Sequence, residues 1–153
     1  GSFATKARGA VDSLREAGHR VGLVRPRLLR PFPGQLLRRA LAGKAAVIVV
    51  DQNLSVGSGG VLHTELAATL YGDPMAPKVL TSFIGGLGGR DISAEEFFEM
   101  LSVTQQAVAS GEVPAPRLLY TEQELREVRK LQAVAQVERD ETTPLQWQES
   151  ADD

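Results

Sequence analysis

At 153 residues the chain is long enough for one domain with a real core, and its 42% hydrophobic content is ordinary for a soluble globular protein. A formal net charge of −2 and a pI near 5.8 argue against a nucleic-acid binder, which carries a basic excess. No cysteine is present for disulfides, iron–sulfur ligation or thiol catalysis, no run approaches the ~18 apolar residues of a membrane span, and no signal-peptide pattern opens the chain, so a cytoplasmic location is expected.

Gly1-Ser2, without an initiator Met, reads as a cloning remnant or as a start partway into a longer protein. Phe3 to Ala17 has helical spacing: Ala7, Ala10, Val11, Leu14 and Ala17 share a face, and Gly18 suits the position after a helix end. Val21–Val24 reads as a short strand closed by Arg25-Pro26. A doubly wound sheet normally begins with a strand, so one is expected ahead of this first helix.

Pro31-Phe32-Pro33 leads into a second helix whose apolar face is Leu36, Leu37, Ala40 and Leu41, ended by Gly43. Arg25, Arg27, Arg30, Arg38 and Arg39 make this the most basic stretch. It reads as a patch for an anion or acidic partner, or more plainly as a solvated face, since no aromatics interleave with the arginines.

Ala45 to Leu70, AAVIVVDQNLSVGSGGVLHTELAATL, is the unit around which the rest is organised. Ala45–Val50 is an unbroken, largely β-branched run suited to a strand buried on both faces of a parallel sheet. Asp51, Gln52 and Asn53 break it, Gly57, Ser58, Gly59 and Gly60 follow, and Val61, Leu62, Leu66 and Leu70 recur at helical spacing. This order of strand, loop and helix places functional groups at the carboxyl end of the strand. After the turn Tyr71-Gly72-Asp73-Pro74 comes a second buried strand, Val79–Ile84. It runs into Gly85-Gly86-Leu87-Gly88-Gly89-Arg90-Asp91. Ser93 and Glu96 form a capping box for a helix striped by Phe97, Met100, Leu101 and Val108. Beyond Gly111, Pro114 and Pro116 mark a linker, Thr121 and Glu124 cap a charged helix to about Glu138, and an acidic tail closes the chain.

The chemistry these residues support is limited. Gly57–Gly60 lacks the full G-x-G-x-x-G spacing, and Gly85–Gly89 lacks the Lys-Ser/Thr ending of a P-loop. Asp51 stands at a strand end, yet ahead of the glycines rather than after the strand that follows them. A nucleotide site remains the alternative reading, against glycines that simply permit tight turns and close backbone approach. His63 and Glu65 have the H-x-E spacing of a deaminase, but the required cysteines are absent. His19 and His63 read as surface or packing residues; no catalytic set and no metal-ligand cluster stands out. A bare oligomerisation module is a third reading.

Three ordered stretches, AVDSLREAGHRVGLVRPRLLRPFP, VIVVDQNLSVGSGGVLHTEL and FIGGLGGRDIS, carry a resemblance that covers roughly Gly1 to Leu101. The chain resembles the C-terminal domain of the pyruvate:ferredoxin oxidoreductase (pyruvate synthase) α subunit, which is similar to the C-terminal domains of transketolase-like, thiamine-diphosphate enzymes. The resemblance implies a three-layer αβα fold with a mostly parallel sheet for residues 1–110, lacking the strand that the family places directly before Gly-Ser. Residues 111–153 are left as linker, charged helix and tail. It also implies a parent enzyme that converts a 2-oxoacid and CoA to acyl-CoA, CO2 and reduced ferredoxin. Thiamine diphosphate, magnesium and iron–sulfur clusters belong to that parent, and none is expected on this chain alone. No catalytic residue of the family maps here. The expected role is architectural, packing against the thiamine-binding domain and other subunits of an oligomer, with neither nucleic acid nor membrane as partner. The candidate interface residues are Asp51, Asn53, Gly57, Ser58, Gly59, Gly60, Gly85, Gly86, Gly88, Gly89, Arg90 and Asp91.

Overall fold

The computed structural model describes residues 3–55 and 59–120, together with 124, 126, 127, 130, 133 and 134. Two compact units are distinguished, Gly1–Leu119 and Tyr120–Asp153. In the second, each described residue from 124 to 134 is helical. Most of the helix expected from Thr121 to Glu138, and the tail after it, lie outside the described residues.

The first unit is built on a parallel sheet ordered β1-β2-β3, with β1 at Ala46–Asp51, β2 at Val79–Ile84 and β3 at Arg117–Leu118. β1 and β2 pair in parallel from Ala46↔Val79 to Asp51↔Ile84. Alternation along the strands sends successive side chains to opposite faces. Val47, Val49 and Leu80 meet α2 (Gly34–Leu41) and α3 (Val61–Leu70) through Leu37, Leu41, Leu66 and Leu70. Ile48, Val50 and Phe83 instead meet Phe97, Met100 and Val103 of α4 (Ala94–Ser110), with Ile92 and Leu119 closing the cluster. α1 (Phe3–Glu16) packs against α4. Helices therefore cover both faces, the three-layer α/β arrangement expected. Fully burying side chains such as Phe83 and Met100 contributes about 1.5–3 kcal/mol each.

Local chemistry explains the helix limits. Ser93 Oγ accepts from Glu96 N while Glu96 Oε2 accepts from Ser93 N, so the expected capping box opens α4, and Gly111 in the left-handed region closes it. Gly43 ends α2, its N–H donating to the carbonyl of Met75 at 2.9 Å. Among the described residues no helix is long and apolar enough to cross a membrane.

Two expectations need correction. Val21–Val24 is not a strand of this sheet: residues 19–29 carry no regular secondary structure and have no ladder partner among the described residues. The run includes Gly22, a poor strand former, and strand formation also needs a neighbouring edge to pair with. The third strand is instead Arg117–Leu118, within the stretch read as linker, where Leu119 N donates to Ile84 O at 2.8 Å.

Candidate functional site

The two glycine loops leave the sheet on the same rung, because Asp51 is the register partner of Ile84 and Gly85 N donates to Asp51 O at 2.9 Å. They lie side by side at the carboxyl edge, where an α/β fold usually places its chemistry.

In the first loop Asp51 is buried and turns its carboxylate onto the first turn of α3. Oδ1 accepts from Leu62 N at 3.0 Å and Oδ2 from His63 N at 3.1 Å. Asn53 completes the arrangement: its Oδ1 accepts from Val61 N at 2.8 Å and its Nδ2 donates to Asp51 Oδ1 at 3.3 Å. An α-helix leaves its first N–H groups without intrahelical partners, and a negative charge there also opposes the positive end of the helix dipole. Asp51 and Asn53 satisfy that end from eight to twelve residues upstream in the chain, because the residue preceding the helix, Gly60, has no side chain to do it. Gly60 is small for the same reason: a Cβ there would fall on the Asp51 carboxylate. Ser55 and Gly59 exchange backbone hydrogen bonds of 2.7 and 3.1 Å across the loop neck, while Gly57 and Ser58 lie outside the described residues. Gly59 has φ +79°, and a Cβ on it would stand 2.9 Å from Pro116 Cγ. Behind it lies Ser82, buried on β2, whose hydroxyl has no hydrogen-bond partner among the described residues.

The second loop divides into an inner and an outer part. Gly85 is buried, and a Cβ would meet Ile92 Cδ1 at 2.8 Å and Leu119 Cδ1 at 2.9 Å. Gly86 is buried too, whereas Leu87, Gly88 and Gly89 form an exposed single 3-10 turn with open space around both glycines. Arg90 then turns back inward. Its Nη2 bonds Glu96 Oε1 at 2.8 Å and its Nη1 the carbonyl of Leu119 at 3.1 Å, tying together the loop, α4 and the end of β3. Asp91 pairs with Lys6 of α1 and accepts from Ile92 N at 3.1 Å.

The chemical capacity of this edge follows from those partners. A phosphate at the start of α3 would need the N–H groups of Val61, Leu62 and His63, and all three already serve Asn53 and Asp51. The described residues contain no group of three His, Cys, Asp or Glu able to hold a metal ion, and without cysteine the chain has no thiolate for a cluster. The donor set thus fits neither a diphosphate cofactor at α3 nor an iron–sulfur centre. Sequence reasoning placed Asp51, Asn53, Arg90 and Asp91 at the edge but missed Lys6 as the partner of Asp91, Leu119 as a partner of Arg90, and Pro116 packed against Gly59. The one available signal was the apolar, strand-competent run of Leu118, Leu119 and Tyr120 after the prolines.

Comparison with known proteins agrees with the architecture. The family model for the pyruvate:ferredoxin oxidoreductase core domain II matches residues 1–97. The chain is similar to the pyruvate synthase subunit PorA of Pyrococcus abyssi, 36% identical over 76% of this chain and 29% of the relative. The corresponding subunit of Methanothermobacter thermautotrophicus is also 36% identical, over 69% of this chain and 26% of the relative. The ketoisovalerate oxidoreductase subunit VorA of Pyrococcus furiosus is 34% identical over 74% of this chain and 28% of the relative. The aligned part is thus under a third of the length of these curated relatives.

Proposed function

Because the chain belongs to the pyruvate:ferredoxin oxidoreductase core domain II family, we propose that it is a non-catalytic structural and interface domain of a 2-oxoacid:ferredoxin oxidoreductase. The parent enzyme would convert a 2-oxoacid and CoA to acyl-CoA, CO2 and reduced ferredoxin in the cytoplasm. Relatives named for pyruvate and for ketoisovalerate match the chain about equally, at 36% and 34% identity, so the comparison favours neither 2-oxoacid. Thiamine diphosphate, magnesium and the clusters are likewise assigned to other domains.

The observation that carries this reading is the state of the carboxyl edge. Asp51, Asn53, Arg90 and Asp91 are all engaged within the chain, which makes the edge a firm surface rather than a reactive one. Above it the Leu87–Gly89 turn offers bare backbone for a flat protein contact. The outer edge of β1 supports the same role. Only β2 pairs with it among the described residues, and a further strand of the longer parent would find its backbone groups ready there.

Calorimetric titration of the full chain with Mg–thiamine diphosphate, CoA, NAD and ATP tests the reading, alongside co-purification with the remaining polypeptides of the parent enzyme. Assembly without ligand binding is expected. Tight binding of any nucleotide, with no assembly, would replace the interface reading by a free-standing nucleotide-binding module.

A further inference from the structure

Ser82 is 4% exposed, and its hydroxyl is the one buried side-chain polar atom without a hydrogen-bond partner among the described residues. Leaving such a group dry and unpaired opposes the state that buries it. The adjacent residue shows that the fold can do otherwise. On the opposite face of β2 the Thr81 and Thr104 hydroxyls meet at 2.7 Å, and Thr104 donates onward to the Met100 carbonyl at 2.8 Å. Ser82 is sealed by this chain's own atoms, so no other polypeptide reaches it while the cover stays in place.

That cover includes Gly59 and Pro116. A side chain begun at Gly59 would stand 2.9 Å from Pro116 Cγ and 3.6 Å from Ser82 Oγ, so loop neck, ring and hydroxyl meet at one point. Pro116 also opens a stretch that reaches the second glycine loop. Three positions on, the Leu119 side chain lies against Gly85, where a Cβ would meet it at 2.9 Å, and the Leu119 carbonyl accepts from Arg90 at 3.1 Å. What holds this stretch is slight. Its ladder is two residues long, Phe83↔Arg117 and Ile84↔Leu118, against the ~5–6 of an ordinary strand. Leu119 N adds its bond to Ile84 O at 2.8 Å. The Arg117–Glu99 pair, 3.4 Å apart, is exposed and contributes little.

We propose that Pro116–Leu119 is a strap that opens together with the Ser55–Gly59 neck while the β1–β2 ladder stays intact, and that the unpaired Ser82 hydroxyl biases it toward opening. Closed, the strap fixes the two glycine loops to one another. Open, it frees each loop and lets water reach Ser82. Contiguous segments held by few contacts open as units in this way. The strap lies beyond residues 1–97, the part matched by the family model. Its motion is internal to the chain and does not depend on what the carboxyl edge contacts.

Native-state hydrogen exchange of the full chain in low urea tests this at three amides: Leu119, bonded to Ile84, and Ser55 and Gly59, bonded to each other across the neck. All three should show one opening free energy and one urea dependence, both below those of the β1–β2 ladder. The wild-type pattern alone decides whether they open together. Arg90→Ala, in the second loop, should speed exchange at all three by the same factor, about tenfold or more. Ser82→Ala should slow all three equally, by about fivefold or more, since alanine leaves no hydroxyl unpaired. Circular dichroism checks that each variant is folded. Exchange of the three amides only along with the ladder, an Arg90→Ala effect confined to Leu119, or a Ser82→Ala variant that slows none of them would each overturn the proposal.

Discussion

The two glycine loops are alike in composition and opposite in construction. In the first, glycine makes room: Gly60 lies against the Asp51 carboxylate and Gly59 against the Pro116 ring. At the tip of the second, glycine makes a turn: Gly88 has φ +67° with nothing within 4 Å of where a side chain would begin. A glycine-rich run after a strand therefore does not by itself signal a ligand. Here the closest approach to Gly60 is made by the chain's own carboxylate, occupying the helix end where a phosphate would otherwise sit.

Substitutions can separate the two constructions. The largest effect is expected from Gly60→Ala, whose methyl group displaces Asp51 and uncaps α3; a loss of about 3 kcal/mol is predicted from overpacking and should be read as a lower urea midpoint. Next comes Arg90→Ala, which leaves Glu96 and the Leu119 carbonyl without their shared cation at a site where both side chains are under a fifth exposed. About 2 kcal/mol is expected. Its distinguishing sign is faster amide exchange at Leu119, since β3 loses its anchor to the loop. Gly88→Ala should cost only about 1 kcal/mol, the price of a left-handed conformation with no clash added. A loss as large as that of Gly60→Ala would mean the two loops are built alike after all.

The smallest effect concerns pH and lies just outside the second loop. Glu95, fully exposed in the first turn of α4, has its carboxyl held below the ordinary glutamate value, chiefly by its own backbone N–H and then by the Ser93 hydroxyl. The folded value is the lower one, so the stabilisation is complete above the ordinary glutamate value and disappears as pH falls through the folded value. Carbon-detected NMR titration of the carboxyl should show a midpoint below that of an unfolded peptide, and Ser93→Ala should raise it.

How far these features were legible in the sequence depends on the distance over which each is determined. The Ser93–Glu96 capping box needs residues three apart and could be read directly. The strands at Ala46–Asp51 and Val79–Ile84 declare themselves by continuous apolar runs, because both faces are covered. Val21–Val24 has a similar local character apart from Gly22, but strand formation also requires a partner edge, and that is a property of the assembled sheet. Arg117–Leu118 failed in the other direction: two residues after a pair of prolines carry no periodic signal, and β2 recruits them. At the site, the sequence pointed to Asp51 as a polar residue ending a strand. Its work on α3 was hidden because the N–H groups it accepts from lie eleven and twelve positions later.

The central claim is that the carboxyl edge is satisfied from within, with Asp51 serving as the cap of α3. Urea denaturation of the full chain carrying Asp51→Ala or Asp51→Asn tests it most directly. The account predicts cooperative unfolding for both, with alanine losing about 2 kcal/mol and asparagine recovering part of that, since its amide oxygen still accepts from one helix N–H. Wild type, alanine and asparagine unfolding at the same urea concentration would contradict the claim and return Asp51 to the pool of residues available for a ligand.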